Sequence, residues 1–314
     1  QRTAIASIII PASVTSIGDG AFYRCASLAS VTFAGISLLE TIGDRAFAQT
    51  AINSITIPLN VTFIGFSAFS YNVSLETISL EPGNSTFYIH NDVLYKKDGT
   101  NNTHTLIQYP PGKTGLTFTI PDTVVTIVGG AFTQTAITSI HIPASVTDIG
   151  SNAFYLAASL KTVTFAGSGL LTIGDFAFAE TALTSITIPA SVTSIGDDAF
   201  NACANLASVT FIASTNWTTG ITFATTAFNS TNALTTIYID DGQKINTVAI
   251  TSPGSLTDPY GHTGTVALVR IFTDNYVTYT YTIKSGTTTE VIITGTTAGT
   301  ALSGDIVIPS TFTV

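Results

Sequence analysis

The two cysteines are the residues of this sequence with the most reactive side chains. Cys25 and Cys203 could act as nucleophiles, bind a metal or join in a disulfide. Each lies three residues after the phenylalanine of a recurring Ala-Phe pair, in repeats at least six steps apart. At about 4.8 Å per step they would be roughly 29 Å apart, whereas a disulfide needs Cα atoms within about 7 Å. Because equivalent positions hold small residues, we predict two reduced thiols buried in the core.

The four histidines do not form a motif typical of catalysis or metal binding. His141 lies among Ser and Thr, whereas His90 and His104 are near Asp92 and Asp98. No His-x-x-x-His or paired-Cys spacing supports a metal site there, so solvated polar groups are the favoured interpretation. The sequence also lacks a Gly-x-Ser-x-Gly elbow, a phosphate-binding loop and a dinucleotide fingerprint. We expect no enzymatic activity, no cofactor and no bound metal ion.

Four aspartates recur once per repeat, just before the Ala-Phe pair: Asp19, Asp44, Asp175 and Asp197. Paired carboxylates could perform acid–base chemistry, but a residue that recurs once per repeat is more typical of scaffold. We interpret them as N-caps that accept free backbone N–H groups of a brief helical turn. The glycine before each aspartate, such as Gly196, is expected to turn the chain.

The motif Ile-Gly-x-x-Ala-Phe organises the sequence. Complete copies end at Phe22, Phe47, Phe69, Phe154, Phe178 and Phe200, and degenerate copies end at Phe132 and Phe228. Most spacings are in the low twenties, which is typical of one strand plus a short return segment. One repeat cannot bury its apolar face alone, so the repeats must stack. The interval between Phe69 and Phe132 is longer and predicts an insertion.

Each repeat contains a short run in which polar residues alternate with β-branched or aromatic ones. This period of two predicts a strand with one buried and one open face. Proline often follows, where a backbone donor is no longer needed. A second short extended piece, such as "SVTSI" at 191–195, then leads to the glycine. The predicted strands are 30–33, 54–57, 77–80, 139–142, 162–165, 185–188 and 208–211.

The repeat, L-x-S-[IV]-T-[IF]-P-x-S-V-T-x-I-G-x-x-A-F-x-x-C, resembles that of the BspA-like leucine-rich repeat family. That family is found in surface proteins of bacteria and of some mucosal protozoa. The resemblance covers roughly residues 1–240 and the last dozen. It implies an α/β, β-rich solenoid: a right-handed superhelix of short strands and short helical or 3-10 turns. It also implies an extracellular or cell-surface location.

Residues 1–240 are the predicted solenoid, with a β-hairpin inserted at about 81–115. Within the insertion, "FYIHNDVLY" and "TLIQYP" are strand-like runs joined through a turn-rich segment. A similar segment occurs in BspA-like proteins. Residues 241–300 are expected to form a β-rich linker with a hairpin around Ser285. Residues 301–314 look like the start of a further repeat, and the chain opens within the pattern without a signal peptide, so we expect a piece of a longer protein.

The open face of the strands is the candidate ligand surface. Stacking would align its outward side chains in two rows, which lie on the concave side in leucine-rich repeats. An alternative of about equal weight is that Thr simply suits an exposed strand. The candidate residues are Ser30, Thr32, Ser54, Thr56, Thr77, Ser79, Thr117, Thr119, Ser139, His141, Thr162, Thr164, Ser185, Thr187, Ser208, Thr210, Thr236 and Tyr238.

Composition narrows the choice of partner. Only 9% of the 314 residues are charged, the net charge is −9, and Lys and Arg do not cluster, which argues against nucleic acid. No apolar run reaches the 18 residues of a membrane span. The expected function is an adhesion or interaction module for a host or matrix protein, a glycan or a neighbouring cell surface. The alternative is an architectural spacer or surface-layer element, and a monomer is favoured.

Six Asn-x-Ser/Thr sequons are candidate glycan sites in a eukaryotic protein. With this much Ser and Thr, several are expected by chance. They are Asn60, Asn72, Asn84, Asn101, Asn216 and Asn229.

Overall fold

The alternating runs form a β-solenoid of about nine turns. The computed structural model describes residues 5–99, 101–212, 222–223, 226–228, 230–231, 233–234, 236–240, 267–274, 277–284 and 290–296. No helix is present among these residues, so none of them could cross a membrane as a long apolar helix.

The strands, in chain order, are β1 Ser7–Ile10, β2 Ser16–Ile17, β3 Ser30–Phe33, β4 Thr41–Ile42, β5 Ser54–Ile57, β6 Phe63–Ile64, β7 Thr77–Leu80, β8 Phe87–His90, β9 Val93–Asp98, β10 Thr103–Gln108, β11 Thr117–Thr119, β12 Val124–Ile127, β13 Ser139–Ile142, β14 Asp148–Ile149, β15 Thr162–Phe165, β16 Thr172–Ile173, β17 Ser185–Ile188, β18 Ser194–Ile195, β19 Ser208–Phe211, β20 Thr222–Phe223, β21 Thr236–Asp240, β22 Ala267–Asp274, β23 Val277–Lys284 and β24 Glu290–Thr296. The seven strands predicted from alternation are confirmed with the same bounds.

Two walls of strands run along the solenoid. The first wall pairs β1 with β3, β5 with β7, β11 with β13 and β15, and β17 with β19 and β21. The second wall pairs β2, β4 and β6, and then β10, β12, β14, β16, β18 and β20. All these pairs are parallel because each turn runs in the same direction as the one before it. Equivalent residues of successive turns therefore lie side by side.

The phenylalanines of the Ala-Phe pairs form stacked columns in the core. Ring centroids are 5.2 Å apart between Phe22 and Phe47 and 5.9 Å apart between Phe47 and the next ring. A second column runs from Phe132 through Phe154 to Phe228, with neighbouring centroids 4.8 to 5.4 Å apart. Such offset ring pairs add stabilisation to the burial of apolar area. All of these phenylalanines except Phe22 are fully buried.

The Ala-Phe turns are not helical, and this prediction was wrong. Most of them place the residues two before and two after the phenylalanine in the left-handed region, as at Phe176 (φ 54°) and Glu180 (φ 56°). A right-handed helix excludes such residues. The turn also directs its N–H groups to its neighbour, because Phe178 N donates to Ala199 O at 2.7 Å. Stacking satisfies the backbone groups that a helix would have satisfied internally.

The repeated aspartates do not cap their own turns, so the N-cap prediction was wrong as well. Asp19 Oδ1 accepts the backbone N–H of Asp44 at 2.8 Å, and Asp44 Oδ1 accepts that of Phe66 at 2.7 Å. Asp175 Oδ1 accepts the N–H of Asp197 in the same way. Each carboxylate therefore links one turn to the next.

Residues 87–108 form a three-stranded antiparallel meander that belongs to the second wall. The expected hairpin of β9 and β10 is present, and β10 pairs in parallel with β12. The run "FYIHNDVLY" is two strands rather than one, because Asn91 (φ 50°) and Asp92 (φ 61°) make a tight turn between β8 and β9. Two consecutive residues with positive φ are typical of a two-residue hairpin turn.

The meander is buried on both faces around residues 93–95 and 106–108, whereas His90 and Lys97 are exposed. Phe87, Leu94 and Ile107 pack in the core of the preceding turns. Val93, Tyr95 and neighbouring side chains of the meander pack in the core of the following turns. The meander is therefore a layer between two halves of the solenoid rather than a projecting insertion.

The strands after residue 240 continue the first wall. β22 pairs in parallel with β21, and β23 pairs in antiparallel with β22. β23 and β24 form the C-terminal hairpin expected around Ser285. The predicted further repeat at 301–314 lies outside the described residues, and the domain boundaries stay predictions.

Candidate functional site

The register of the strands aligns the candidate ligand residues with one another. The surface that these residues form is named the strand face. Thr117, Ser139 and Thr162 are direct partners across β11, β13 and β15. The second outward position of each strand is aligned in the same way, as Thr187 and Thr210 show on β17 and β19. At about 4.8 Å per strand, the face consists of two parallel rows of short polar side chains.

The described side chains of these rows are accessible, and some bond along the row. Ser185 and Thr187 are exposed and alternate with the buried side chains of Ile186 and Ile188. Thr56 Oγ1 and Ser79 Oγ share a hydrogen bond of 2.8 Å. A bond of 2.9 Å also links His141 Nδ1 with Thr164 Oγ1, so His141 continues the hydroxyl row.

The structure extends the strand face in one direction beyond the predicted residues. Ser7 pairs with Ser30, and Ile9 pairs with Thr32, so β1 supplies the first positions of both rows. Ile9 is 69% exposed. The sequence "SIII" conceals this strand because an isoleucine replaces the expected threonine. At the other end, the backbones of Thr236 and Tyr238 align with β19 as predicted.

Strand pairing along the face is interrupted. β3 and β5 belong to separate sheets, and so do β15 and β17. Between β7 and β11 the chain makes the meander of the second wall. The strand face is therefore a series of short sheets that share one pattern of outward side chains.

The second wall carries polar side chains that the sequence reasoning missed. Thr41 Oγ1 donates to Ser16 Oγ at 2.7 Å, and Thr172 Oγ1 donates to Asp148 Oδ1 at 2.7 Å. Phe63 interrupts this row and is 50% exposed. The sequence predicted a second short extended piece in each repeat, and β18 lies within the one at 191–195, but it did not predict that these pieces stack into a row of polar side chains.

Both cysteines are buried thiols, as predicted. Cys203 Sγ donates to Phe178 O at 3.1 Å and contacts Thr181 Oγ1 at 3.2 Å. Burial raises the pKa of the Cys203 thiol to about 11, only partly opposed by hydrogen bonds from residue 181. This thiol is therefore protonated at neutral pH and is a poor nucleophile.

Most positions equivalent to the cysteines hold a side chain that is small and also forms hydrogen bonds, although Ala157 does not. Asn72 is fully buried, and its Oδ1 accepts the backbone N–H of Thr50 at 2.7 Å. Its Nδ2 donates to Phe47 O at 2.9 Å. Thr135 and Thr231 each donate to the carbonyl of the phenylalanine three residues earlier. Sequence reasoning recognised only the size requirement.

The histidines and carboxylates of the meander have separate partners. His104 Nδ1 shares a 2.8 Å bond with Thr123 Oγ1, and Thr105 Oγ1 donates to Asp98 Oδ2 at 2.6 Å. Asp92 forms an ion pair with Lys113. No group of three or more potential metal ligands exists among the residues that the structure describes.

The described sequons differ in accessibility. Asn72 is fully buried, and Asn84 uses both its amide nitrogen and its oxygen in hydrogen bonds to the backbone. Asn60 Nδ2 donates to Ser37 O. Asn101 is exposed near the tip of the β9–β10 hairpin. The remaining two sequons, at Asn216 and Asn229, lie outside the described residues.

The stacked parallel strands, the phenylalanine columns and a repeat length in the low twenties define a leucine-rich repeat solenoid. The family model of the BspA type leucine rich repeat region matches the chain in six copies, over residues 1–104 and 125–252. The chain therefore belongs to the BspA-type leucine-rich repeat family. A comparison with curated proteins found no match.

Solved structures of bacterial proteins share this fold. A leucine rich cell surface protein from Faecalibacterium prausnitzii is 34% identical, with a TM-score of 0.66 over 74% of this chain and 59% of that chain. The pneumococcal vaccine antigen PcpA is 26% identical, with a TM-score of 0.63 over 75% of this chain and 56% of that one. A leucine-rich repeat protein from Eubacterium ventriosum is 28% identical, with a TM-score of 0.53 over 76% of this chain and 60% of that chain. The chain thus spans less than two thirds of the length of each.

Proposed function

We propose that the chain is a non-enzymatic interaction module of an extracellular or cell-surface protein, and that the strand face binds its ligand. The observation that carries this proposal is the register that aligns uncharged polar side chains in two accessible rows. The surface protein of Faecalibacterium prausnitzii supports the location.

The chemistry of the strand face favours a ligand with many hydrogen-bonding groups and little charge. Hydroxyl groups donate and accept, so they suit the hydroxyls of a glycan or the backbone of a protein. The proposed partners are a host or matrix protein, a glycan or a neighbouring cell surface. Each contact is weak, so binding depends on many contacts and on several copies acting together.

The experiment compares arginine substitutions on the two walls. Thr164→Arg and Thr187→Arg place a long cation in the strand face, and Ser194→Arg is the control on the second wall. Binding is measured on a glycan array and on immobilised collagen, fibronectin and laminin. We expect the first two variants to lose at least tenfold in affinity and the control to bind like the unmodified chain. Equal affinity of all three variants would exclude the strand face.

The second candidate function is an architectural spacer. It is favoured by hydroxyls that bond one another, such as those of Thr56 and Ser79, because they stabilise stacking without any ligand. A spacer requires only length. It would be supported if the chain bound none of these probes and a solenoid of equal length replaced it in the longer protein without loss of function.

A further inference from the structure

The strand face repeats at fixed spacings in two directions. Along each row, side chains of neighbouring turns are about 4.8 Å apart, and the two outward side chains of one strand are roughly 6.7 Å apart, which is twice the rise per residue. The register carries both spacings to the next turn without a shift, since Ser185 pairs with Ser208 and Thr187 pairs with Thr210. The same pairing joins β13 to β15. The strand face is therefore a regular array that extends along the axis of the solenoid.

The side chains of this array are polar and carry almost no charge. From β11 to β19 the outward residues are serine and threonine with one exception, His141. Each hydroxyl has one donor and two acceptor positions, so a bond along the row, such as that between Thr164 and His141, uses only part of this capacity. No carboxylate, lysine or arginine occupies an outward position of these five strands. A charged ligand loses hydration here without gaining an opposite charge, so a neutral ligand is favoured.

The longer part of the array, among the described strands, has six turns. These turns are β11, β13, β15, β17, β19 and β21, and the meander separates them from the turns of β1 to β7. Strand pairing stops between β15 and β17, but these two strands remain neighbours. The outward pattern also continues across the break, since Thr164 and Thr187 are both exposed. A ligand with a repeating unit can therefore contact up to six turns in succession.

We propose, on the basis of the function proposed above, that this six-turn array binds a linear, neutral, β-linked polysaccharide of the cellulose type that lies along the solenoid axis. In such a polymer each sugar advances by nearly the spacing of neighbouring strands, so successive sugars meet successive turns. Its hydroxyl groups lie along both edges of a flat ribbon, and the two edges meet the two rows. Sugar hydroxyls donate and accept, as do those of serine and threonine. An α-linked glucan coils, and it cannot maintain these contacts over several turns.

Affinity at this array depends on the length of the polysaccharide. A hydrogen bond between two exposed groups contributes little net free energy, because water satisfies both groups before binding. No phenylalanine, tyrosine or tryptophan occupies an outward position from β11 to β19, so sugars have no such ring to stack on there. Binding therefore rests on the number of turns that are engaged at once, since a contact at one turn positions the next sugar. Affinity is expected to rise with each added sugar until all six turns are occupied.

A series of oligosaccharides tests the class of ligand. Cellotriose and cellohexaose differ only in length, and maltohexaose has as many glucose units as cellohexaose but α linkages. In isothermal titration calorimetry with the full chain, cellohexaose is expected to bind at least tenfold more tightly than either of the other two. Added salt is expected to leave this affinity unchanged, because the array is almost uncharged. Equal affinity for the two hexasaccharides, or no binding of cellohexaose, overturns the proposal.

Removal of hydroxyl groups tests where cellohexaose binds. Thr164→Val combined with Thr187→Val keeps the branched shape of both side chains but removes two outward hydroxyls. Thr193→Val, at an exposed position beside β18 of the second wall, is the matched control. The double variant is expected to lose at least fivefold in affinity for cellohexaose and the control to lose none, with thermal unfolding as the check that both are folded. Unchanged affinity of the double variant overturns the proposal.

The matrix proteins separate a failure of this proposal from a failure of the proposed function. If cellohexaose does not bind, but Thr187→Arg abolishes binding to collagen, fibronectin or laminin, the strand face binds protein and only the polysaccharide proposal is wrong. If no substitution on the strand face alters the binding of any probe, both proposals are wrong.

Discussion

Asp175 Oδ1 accepts a hydrogen bond from the backbone N–H of Asp197, one turn later, at 2.9 Å. Gly196 passes so close beneath this bond that a Cβ atom would overlap Asp175 Oδ1 and lie 2.6 Å from its backbone nitrogen. Gly43 and Gly65 meet the preceding aspartate in the same way. Gly196 lies between β18 and the turn, as expected, but its φ angle is not in the left-handed region, so the turn itself does not require a glycine there. The glycine is required by the close approach of two turns.

Gly196→Ala is therefore expected to destabilise the solenoid by about 1 to 3 kcal/mol, because backbone rather than a flexible side chain obstructs the methyl group. Gly18 holds the equivalent position in the first described turn, and nothing lies within 4 Å of its Cβ direction. Gly18→Ala should be neutral or stabilising by a few tenths of a kcal/mol. Urea unfolding monitored by circular dichroism measures both variants, and equal midpoints would contradict the explanation.

Ala202→Gly is expected to stabilise the fold by roughly 0.5 kcal/mol. Ala202 has a φ of 54°, a region that costs an alanine about 1 kcal/mol or more and costs glycine little. The matched variant, Ala199→Gly in the same turn, removes a fully buried methyl group without relieving strain and should destabilise by about 1 kcal/mol. Thermal unfolding of the two variants should therefore shift in opposite directions.

Asn72→Ala is expected to cost about 2 to 4 kcal/mol, because it leaves the backbone N–H of Thr50 without its buried acceptor. Asn101→Ala provides the control, since Asn101 is also part of a sequon but is exposed. That change should stay within about 0.5 kcal/mol. Chemical denaturation distinguishes the two, and a small effect at Asn72 would show that water replaces the amide.

Cys203 should weaken the fold at alkaline pH. Its pKa rises from 9.0 to about 11 on burial, so the unfolded chain releases the proton between these values while the folded chain retains it. The free energy of unfolding gains nothing from this group below pH 9 and falls as the pH rises toward 11. The free energy of unfolding is measured at pH 8 and at pH 10.5 for the unmodified chain and for Cys203→Ala. The unmodified chain is expected to lose more stability between these two pH values, because the variant lacks the thiol. An identical pH dependence would contradict it.

The strand face should tolerate change that the core does not. Thr187→Arg alters an exposed side chain and is expected to shift stability by less than about 0.5 kcal/mol. Ile186→Ala, one residue earlier, empties a buried site and should cost about 2 to 5 kcal/mol. Urea midpoints of both variants, measured with the binding assay, separate a loss of affinity from a loss of folding.

Alternation predicted the long strands because it depends only on neighbours in the chain. Ser185, Ile186 and Thr187 alternate in exposure as their residue types do. The strand face follows directly, since stacking identical patterns brings identical residues together. The second wall was predicted only as short extended pieces, because its two-residue strands carry too few residues to show which side chains face outward.

The Ala-Phe turns show why local reasoning failed elsewhere. An aspartate followed by Ala-Phe is compatible with a capped helical turn, and nothing within the repeat excludes it. The turn at Phe176 instead satisfies its backbone through Ala199 and Asp197 of the next repeat. Stacking contacts also hold left-handed residues, such as Glu180, that the isolated segment would avoid.

The sequence by itself determined that this protein is a stack of repeats, where its long strands begin and end, and which of their side chains face outward. The tertiary structure alone decided that Asp175 bonds to the next turn, that Gly196 makes room for it and that the meander divides the core. These features depend on contacts between turns more than twenty residues apart, whose geometry is fixed only when the repeats stack.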